Sequence, residues 1–325
     1  NFKINMKHDN LIIYVSSRNN YDMLEGEVLK NINREGFEFI NIDDQSSEEE
    51  IKKGKSICEK YGIVFLENKS RGVQMATQTL IDFINENRPN CKWIFCFQHD
   101  NYPISLNFFS KISDLISKNK LKDFGILGFN NLDHGSYTGN SLNEFKVGNS
   151  PLGLIGMAHL SIHQREARWL CPSKQENLLK NPLWQKPFIV EFPMWASVGI
   201  NVGLWNKYII PTTEYQFHLW LPDIAMQFNY KNYPCLILPD LYCLNHQSLK
   251  TKYGINANSA RGSRDGNEYH FGKYSNFNAW SSRWGWHYEN IVEDFEQIKE
   301  NYTGTLIRDF YDHDITKGPF KSITL

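Results

Sequence analysis

The residues best equipped for chemistry stand where apolar runs stop. Ile94 to Phe97 are apolar at every position, and the chain then turns to Gln98-His99-Asp100-Asn101 before Pro103. A carboxylate in such a polar cluster suits a divalent cation and the phosphates that cation neutralises, because hard cations prefer oxygen ligands. Three earlier apolar runs end in the same manner: Leu11–Val15 in Ser16-Ser17-Arg18, Phe37–Ile42 in Asp43-Asp44, and Ile63–Leu66 in Glu67 with Arg71 close behind. One polar terminus means little, but four in succession predict a nucleotide site. Ser16, Arg18 and Arg71 would face its phosphates and base, and one of Asp43 and Asp44 would take hydrogen bonds from ribose or base.

These residues act together only if their strands lie side by side and point the same way. The intervening segments read as the helices that would arrange this. Met23, Leu24, Val28, Leu29 and Ile32 form one stripe, with Asp22 as predicted N-cap and Gly36 as terminator. Ser47 and Glu50 form a capping box for a helix to about Lys60. Arg71-Gly72 opens a helix carrying Val73, Ala76, Leu80, Phe83 and Ile84, and a further helix carries Leu106, Phe109, Ile112 and Ile116. Strand and helix alternating in this way predict right-handed crossovers and a mainly parallel sheet, with ligands at the carboxyl ends of its strands. Beyond it, Phe124–Phe129 and Phe188–Phe192 read as strands, and the His- and Arg-bearing part of residues 151–170 reads as helix. Met194 to Trp205 mixes Trp, Gly and Asn as a wall beside a ligand would.

Composition narrows the chemistry. Lys+Arg 35 against Asp+Glu 36 in 325 residues leaves a net charge of −1, which excludes a nucleic-acid binder relying on bulk electrostatics. The six cysteines form no CxxC pair and predict buried free thiols in a reducing, cytoplasmic setting, with peripheral membrane contact compatible. No apolar run approaches a membrane span, and no leader is read. The first turn, Ser16 to Asn20, has no glycine, so a dinucleotide fingerprint is absent, and GxxxxGK[ST] occurs nowhere. Phosphates must then be handled without a glycine loop, and a divalent cation is the expected means.

In this order of elements the chain, over roughly residues 10–248, resembles the GT-A glycosyltransferases, particularly the inverting family-2 type. The fourth strand of that family ends in a DxD-like triplet, where this chain has Gln98-His99-Asp100. An acidic "ED" element then opens a helix, an aromatic-plus-Pro strand follows, and a His closes the series. Here these are Phe217-His-Leu-Trp-Leu-Pro-Asp223, Tyr233-Pro-Cys-Leu-Ile-Leu-Pro-Asp240 and Leu241-Tyr-Cys-Leu-Asn-His246. Two positions depart from the pattern: Gln98 replaces the first Asp of the triplet, and Pro222 replaces the Glu of the pair.

The resemblance implies a nucleotide-diphosphate sugar donor, a glycan or glycoconjugate acceptor, and Mn²⁺ (or Mg²⁺) held by Asp100 and His246. Imidazole favours Mn²⁺ of the two. Gln98 would bond ribose or a metal-bound water, and strand alternation turns His99 to the opposite face. Asp223 would be the general base, with Glu214 and Glu191 as alternatives, or else a helix N-cap. Trp195, Gly199 and Asn201 would build the donor-sugar and acceptor wall. Residues 1–250 would form the catalytic domain; residues 251–325 fall outside the resemblance and read as an aromatic-rich extension packing on it, with an acceptor-sugar platform around Trp280, Trp284 and Trp286 as the alternative. Asp312-His-Asp314 follows no buried strand and reads as a decoy. A catalytically inactive glycan- or nucleotide-sugar-binding protein is the competing expectation, fed by Gln98 and Pro222.

Overall fold

The four apolar runs of the N-terminal half form strands β1 (Leu11–Ser17), β2 (Glu38–Asp43), β3 (Val64–Glu67) and β4 (Trp93–Phe97). They pair in parallel, β4 with β1, β1 with β2 and β2 with β3, because each is apolar on both faces and each crossover is helical. The computed structural model describes residues 9–99, 101–133, 154–155, 157–161, 166–170, 186–190, 193, 196–215, 219–245, 277–284, 321–322 and 324–325. Beyond β4, the short strand β5 (Asn101–Pro103) reverses direction, and β6 (Ile126–Asp133), β7 (Leu154–Ile155), β8 (Met157–Ser161) and β9 (Glu166–Leu170) follow. The series closes with β10 (Phe188–Val190), β11 (Ser197–Asn201), β12 (Cys235–Asn245) and β13 (Lys321–Ser322).

The main sheet runs β13-β10-β12-β6-β11-β4-β1-β2-β3. In it β11 lies antiparallel to both β4 and β6, while β12 lies parallel to β6. The carboxyl ends of β1, β2, β3, β4, β6 and β12 therefore share one edge, where the starts of the antiparallel strands β5, β7 and β11 meet them.

Helices cover both faces. The first, α1 (Tyr21–Met23), continues as a π-helical stretch over Leu24–Leu29. Its N-cap is Asn20, at φ 59, not the expected Asp22, whose carboxylate pairs with Lys53 at 2.9 Å. In α2 (Glu48–Lys60) the Ser47 hydroxyl accepts the Glu50 N–H at 3.4 Å. The box is half made, because the Glu50 carboxylate goes to the Tyr21 N–H and to Lys53 instead. Next come α3 (Val73–Asn87), capped at Gly72, and α4 (Phe108–Ser117), which begins after the expected Leu106, 82% exposed. The last three are α5 (Val202–Tyr208), α6 (Trp220–Asn229) and α7 (Phe277–Trp284).

One expected helix is a hairpin instead. β8 and β9 form a separate antiparallel ladder, from Met157 opposite Leu170 to Ser161 opposite Glu166, so cross-strand pairing prevails over helical reading there. Two described pieces of residues 251–325 join the rest: β13 pairs with β10, and Trp284 of α7 packs against the core. The core includes a linked set of aromatic rings beside β4, in which Phe95 and Phe97 each meet Phe109, and Phe129 meets both Phe95 and Phe108. Among the described residues no helix is long and apolar enough to cross a membrane. Cys58, Cys91, Cys96, Cys235 and Cys243 are buried free thiols, as their apolar neighbours predict.

Candidate active site

The ends of β1, β2 and β3 build a polar layer from the inside outward. Asp43 accepts the Tyr21 hydroxyl at 2.6 Å and the Ser46 N–H at 2.9 Å, and it is fully buried. The Tyr21 oxygen in turn accepts from Asn41, whose carbonyl accepts the Ser17 hydroxyl at 2.6 Å. Asp43 is thus structural: its lone pairs tie the ends of β1 and β2 to α1. Asp44 lies one step further out, 7% exposed, and takes the Gly72 N–H on both oxygens, at 2.9 and 3.1 Å, and the Asn68 amide at 2.8 Å. Burial pushes its carboxyl above the ordinary value, while these donors and the guanidinium groups of Arg18 and Arg71 pull it down. Two cations beside one carboxylate leave this corner, at the N-terminus of α3, locally positive and suited to an anion. Ser16, Arg18 and Arg71 are half-buried around it.

The second half of the site forms around the end of β4. Gln98 to Asn101 make a turn closed by the Asn101 N–H on the Gln98 carbonyl at 3.0 Å. Past the turn, β5 lies antiparallel to the end of β12, with Pro103 opposite Cys243, Tyr102 opposite Leu244 and Asn101 opposite Asn245. Asp100, which precedes this pair in the sequence, and His246, which follows it, lie outside the described residues, as do Trp195 and Glu191. Gln98 is half-buried and His99 is buried. Among the described residues no group of three His, Cys, Asp or Glu side chains is arranged to hold a metal ion. One oxygen at the turn, the Oδ1 of Asn101, is buried and receives no hydrogen bond, and an amide oxygen is a donor type hard cations accept.

Under the turn lies a polar cluster that sequence reasoning missed. Asn101, Asn131 and Ser197 are fully buried, and the Asn101 and Ser197 side chains both donate to Asn131 Oδ1, at 3.2 and 2.8 Å. The available signal was Asn130-Asn131, which ends an apolar run just as Asp43-Asp44 does.

Asp223 is in a different position from the one expected. It falls inside the first turn of α6, whose N-cap is Leu219, so it does not cap the helix. Its side chain is 0% exposed and takes N–H groups from Gln74 (3.0 Å), Gln227 (3.0 Å) and Trp284 (2.9 Å), with Arg283 at 3.3 Å. Burial raises its pKa, against the pull of Arg283, Gln74, Trp284 and Gln227. As placed, this carboxylate anchors α3 and α7 to α6 and has no opening toward an acceptor hydroxyl. Glu214, named as an alternative, is exposed in the segment before α6.

Gly199 and Asn201 also lie away from the expected wall. Because β11 is antiparallel, Asn201 stands opposite Trp93, at the far edge of the sheet from Gln98. There it caps α5, its side chain accepting the Leu204 N–H at 3.1 Å. Gly199 sits in mid-sheet, where an added Cβ would lie 2.8 Å from the Phe95 ring. Its lack of a side chain serves packing.

No protein-family model matches the chain, and no curated protein matches it in sequence. Solved structures match it in fold. GalNAc-T7 with UDP, GalNAc and Mn²⁺ gives a TM-score of 0.51 at 12% identity, covering 91% of this chain and 58% of that one. The mannosyltransferase PcManGT from Pyrobaculum calidifontis, in complex with GDP-Man and Mn²⁺, gives 0.44 at 11% identity, covering 73% and 56%. S. aureus TarS 1-349 gives 0.39 at 12%, covering 75% and 62%. The chain thus spans less than two thirds of the length of each. With the mixed sheet and flanking helices described above, the first of these likenesses shows the fold: it is that of the GT-A glycosyltransferases.

Proposed function

We propose that this protein is a metal-dependent glycosyltransferase that moves a sugar from a nucleotide-diphosphate donor to a hydroxyl of a glycan acceptor. The observation that carries the reading is the register of β5 on β12, in which Asn101 stands opposite Asn245. In the sequence, Asp100 precedes and His246 follows that pair. These two would hold Mn²⁺ or Mg²⁺, with the Gln98 amide bonding ribose or a metal-bound water. A divalent cation bound there supplies charge neutralisation for the departing diphosphate. Arg18, Arg71 and the N-terminus of α3 would bind the nucleotide, with Asp44 orienting them.

In the reaction, the acceptor oxygen bonds to the anomeric carbon as the bond to the diphosphate oxygen breaks, and the hydroxyl proton passes to a carboxylate. Asp223 reaches that proton only if Trp284 and Arg283 withdraw; with α7 in place the role passes to Glu214 or Glu191. Trp195 would belong to the sugar wall. Inversion at the anomeric carbon is the outcome we assign, since a separate base is then required.

Thermal-shift measurements with UDP, GDP, dTDP and CMP, each with and without Mn²⁺, test the reading. Stabilisation by one diphosphate that requires Mn²⁺ and disappears in Asp100→Ala is the expected result. The sealing of Asp223 favours a second reading, an inactive nucleotide-sugar-binding protein. Mn²⁺-dependent binding with no donor hydrolysis, at any acceptor concentration, would select it.

A further inference from the structure

We propose that α7 is an autoinhibitory plug on Asp223, with the Trp284 indole N–H occupying the place that an acceptor hydroxyl takes on the carboxylate. The inference concerns regulation of the proposed site and rests on the glycosyltransferase reading. Different elements hold the two oxygens of Asp223. Oδ2 accepts from Gln74 Nε2 and from Gln227 Nε2, each at 3.0 Å. Both glutamines are fixed at their other ends without α7: Gln74 Oε1 accepts the Thr212 N–H at 2.9 Å, and Gln227 Oε1 accepts the Ile210 N–H at 2.8 Å. Oδ1 accepts from Trp284 Nε1 at 2.9 Å, its sole donor among the described residues. Arg283 places Nη1 3.3 Å from Oδ2 and donates from Nη2 to the Ile210 carbonyl at 2.9 Å.

Taking a carboxylate out of water costs stability that its donors must offset, and apolar side chains would fill the same space at less cost. What this carboxylate provides instead is a reactive oxygen. With α7 withdrawn, Gln74 and Gln227 still orient Asp223 through Oδ2, and Oδ1 faces solvent. A hydroxyl proton can then pass to Oδ1 while the hydroxyl oxygen bonds the anomeric carbon and the bonding pair leaves with the diphosphate. The place suits this role. Gly72 and Gln74 both stand at the start of α3, and the first bonds Asp44 while the second bonds Asp223. The plug therefore sits within about one helical turn of the anion corner, at the same edge of the sheet. Its hold is local. Trp284 and Arg283 are half-buried, Trp284 stacks on Tyr230, and Tyr230 and Ile210 remain 65% and 71% exposed. Side chains on a partly exposed rim make these contacts, so α7 can withdraw while the sheet, α3 and α6 keep their places.

The test compares wild type with Trp284→Ala and Arg283→Ala, each as the full chain, by two readouts. One is modification of Asp223 in the native protein by a water-soluble carbodiimide with glycine ethyl ester, located by peptide mass spectrometry. The other is release of UDP or GDP from UDP-glucose, UDP-N-acetylglucosamine and GDP-mannose in buffer with Mn²⁺, where water serves as the hydroxyl acceptor. We expect both to rise about tenfold or more in each variant, the shift that loss of one hydrogen bond to a charged group produces. Adding Asp223→Asn to either variant should abolish the gain in release. Tyr14→Phe is the control: it removes a buried hydrogen bond of 2.6 Å to Thr77 elsewhere in the core, and should lower Tm while changing neither readout. Faster labelling of Asp223 with no faster release overturns the inference, because α7 would then cover the carboxylate for packing alone. An equal rise in Tyr14→Phe overturns it too, making the effect one of general stability. Should Trp284→Ala fail to fold, Arg283→Ala, which keeps the indole, decides alone. Release by wild type that the variants do not exceed overturns this inference and leaves the glycosyltransferase reading standing, whereas release by no protein overturns that reading and this inference with it.

Discussion

Trp284→Phe asks whether Asp223 is an anchor for α7. The indole N–H of Trp284 lies 2.9 Å from Asp223 Oδ1, on a carboxylate that water does not reach. Phenylalanine keeps a ring to stack on Tyr230, now paired at 5.5 Å and 27°, and removes the donor. A hydrogen bond to a charged group contributes about 1.5–3 kcal/mol, and the deleted partner leaves its acceptor buried. For a chain of this size about 2 °C of Tm accompanies each kcal/mol, so Tm should fall by roughly 3–6 °C. The pH dependence has a definite sign. Burial raises the folded-state pKa of Asp223, so the stability this group contributes is full at low pH and is lost as pH rises through that pKa. Trp284 is one of the donors that hold the pKa down, and its removal deepens the loss at high pH. The deficit of Trp284→Phe must therefore be larger at pH 7 than near pH 4, where the carboxyl is more fully protonated. Thermal unfolding followed by circular dichroism at both pH values measures it. A deficit below about 0.5 kcal/mol, typical of an ordinary surface change, or one equal at both pH values, refutes the anchor.

Gly199→Ala should destabilise the protein by about 1–3 kcal/mol through overpacking, since its Cβ would come 2.8 Å from the Phe95 ring; urea unfolding checks this. Asp44→Asn should weaken the hold on Gly72 and Asn68, lowering stability by about 1–3 kcal/mol near pH 4. Because burial raises the Asp44 pKa, the wild type loses stability as pH rises through that value and the variant does not, so the gap should narrow toward pH 7. Thiol labelling of the native protein should spare Cys58, Cys91, Cys96 and Cys243, whose thiols burial pushes up to about 12, and should reach them only on unfolding. Mass spectrometry of labelled peptides reads the result.

Much of the N-terminal half was legible because its signals are local. Ser47 and Gly72 start their helices where expected, and the apolar runs of β1 to β4 end within a residue or two of the polar turns that stop them. The polar ends of these strands, Asp43-Asp44 among them, were legible for the same reason. Which of the two carboxylates is tied inward was not, because it depends on the Tyr21 hydroxyl, 22 residues from Asp43, bonding Asp43. Gly199 and Asn201 were misplaced because strand direction is invisible in a five-residue apolar stretch. Antiparallel β11 carries Ser197 to the site and Asn201 to the opposite edge. Residues 157–170 failed for a related reason: a ladder between two short segments satisfies their backbone, and helical spacing has no means of showing it.

By itself the sequence determined the alternation of strand and helix, the polar ends of the parallel strands and hence the edge at which a nucleotide would bind. Those follow from apolar periodicity and capping, which act within a turn or two of chain. The tertiary structure alone decided what surrounds each polar side chain. It placed Asn101, Asn131 and Ser197 in one buried cluster, and it closed Gln74, 149 residues distant, and Trp284, 61 residues distant, over Asp223. A carboxylate's chemistry depends on its solvent and its donors, and for Asp223 both are supplied by elements remote in the chain.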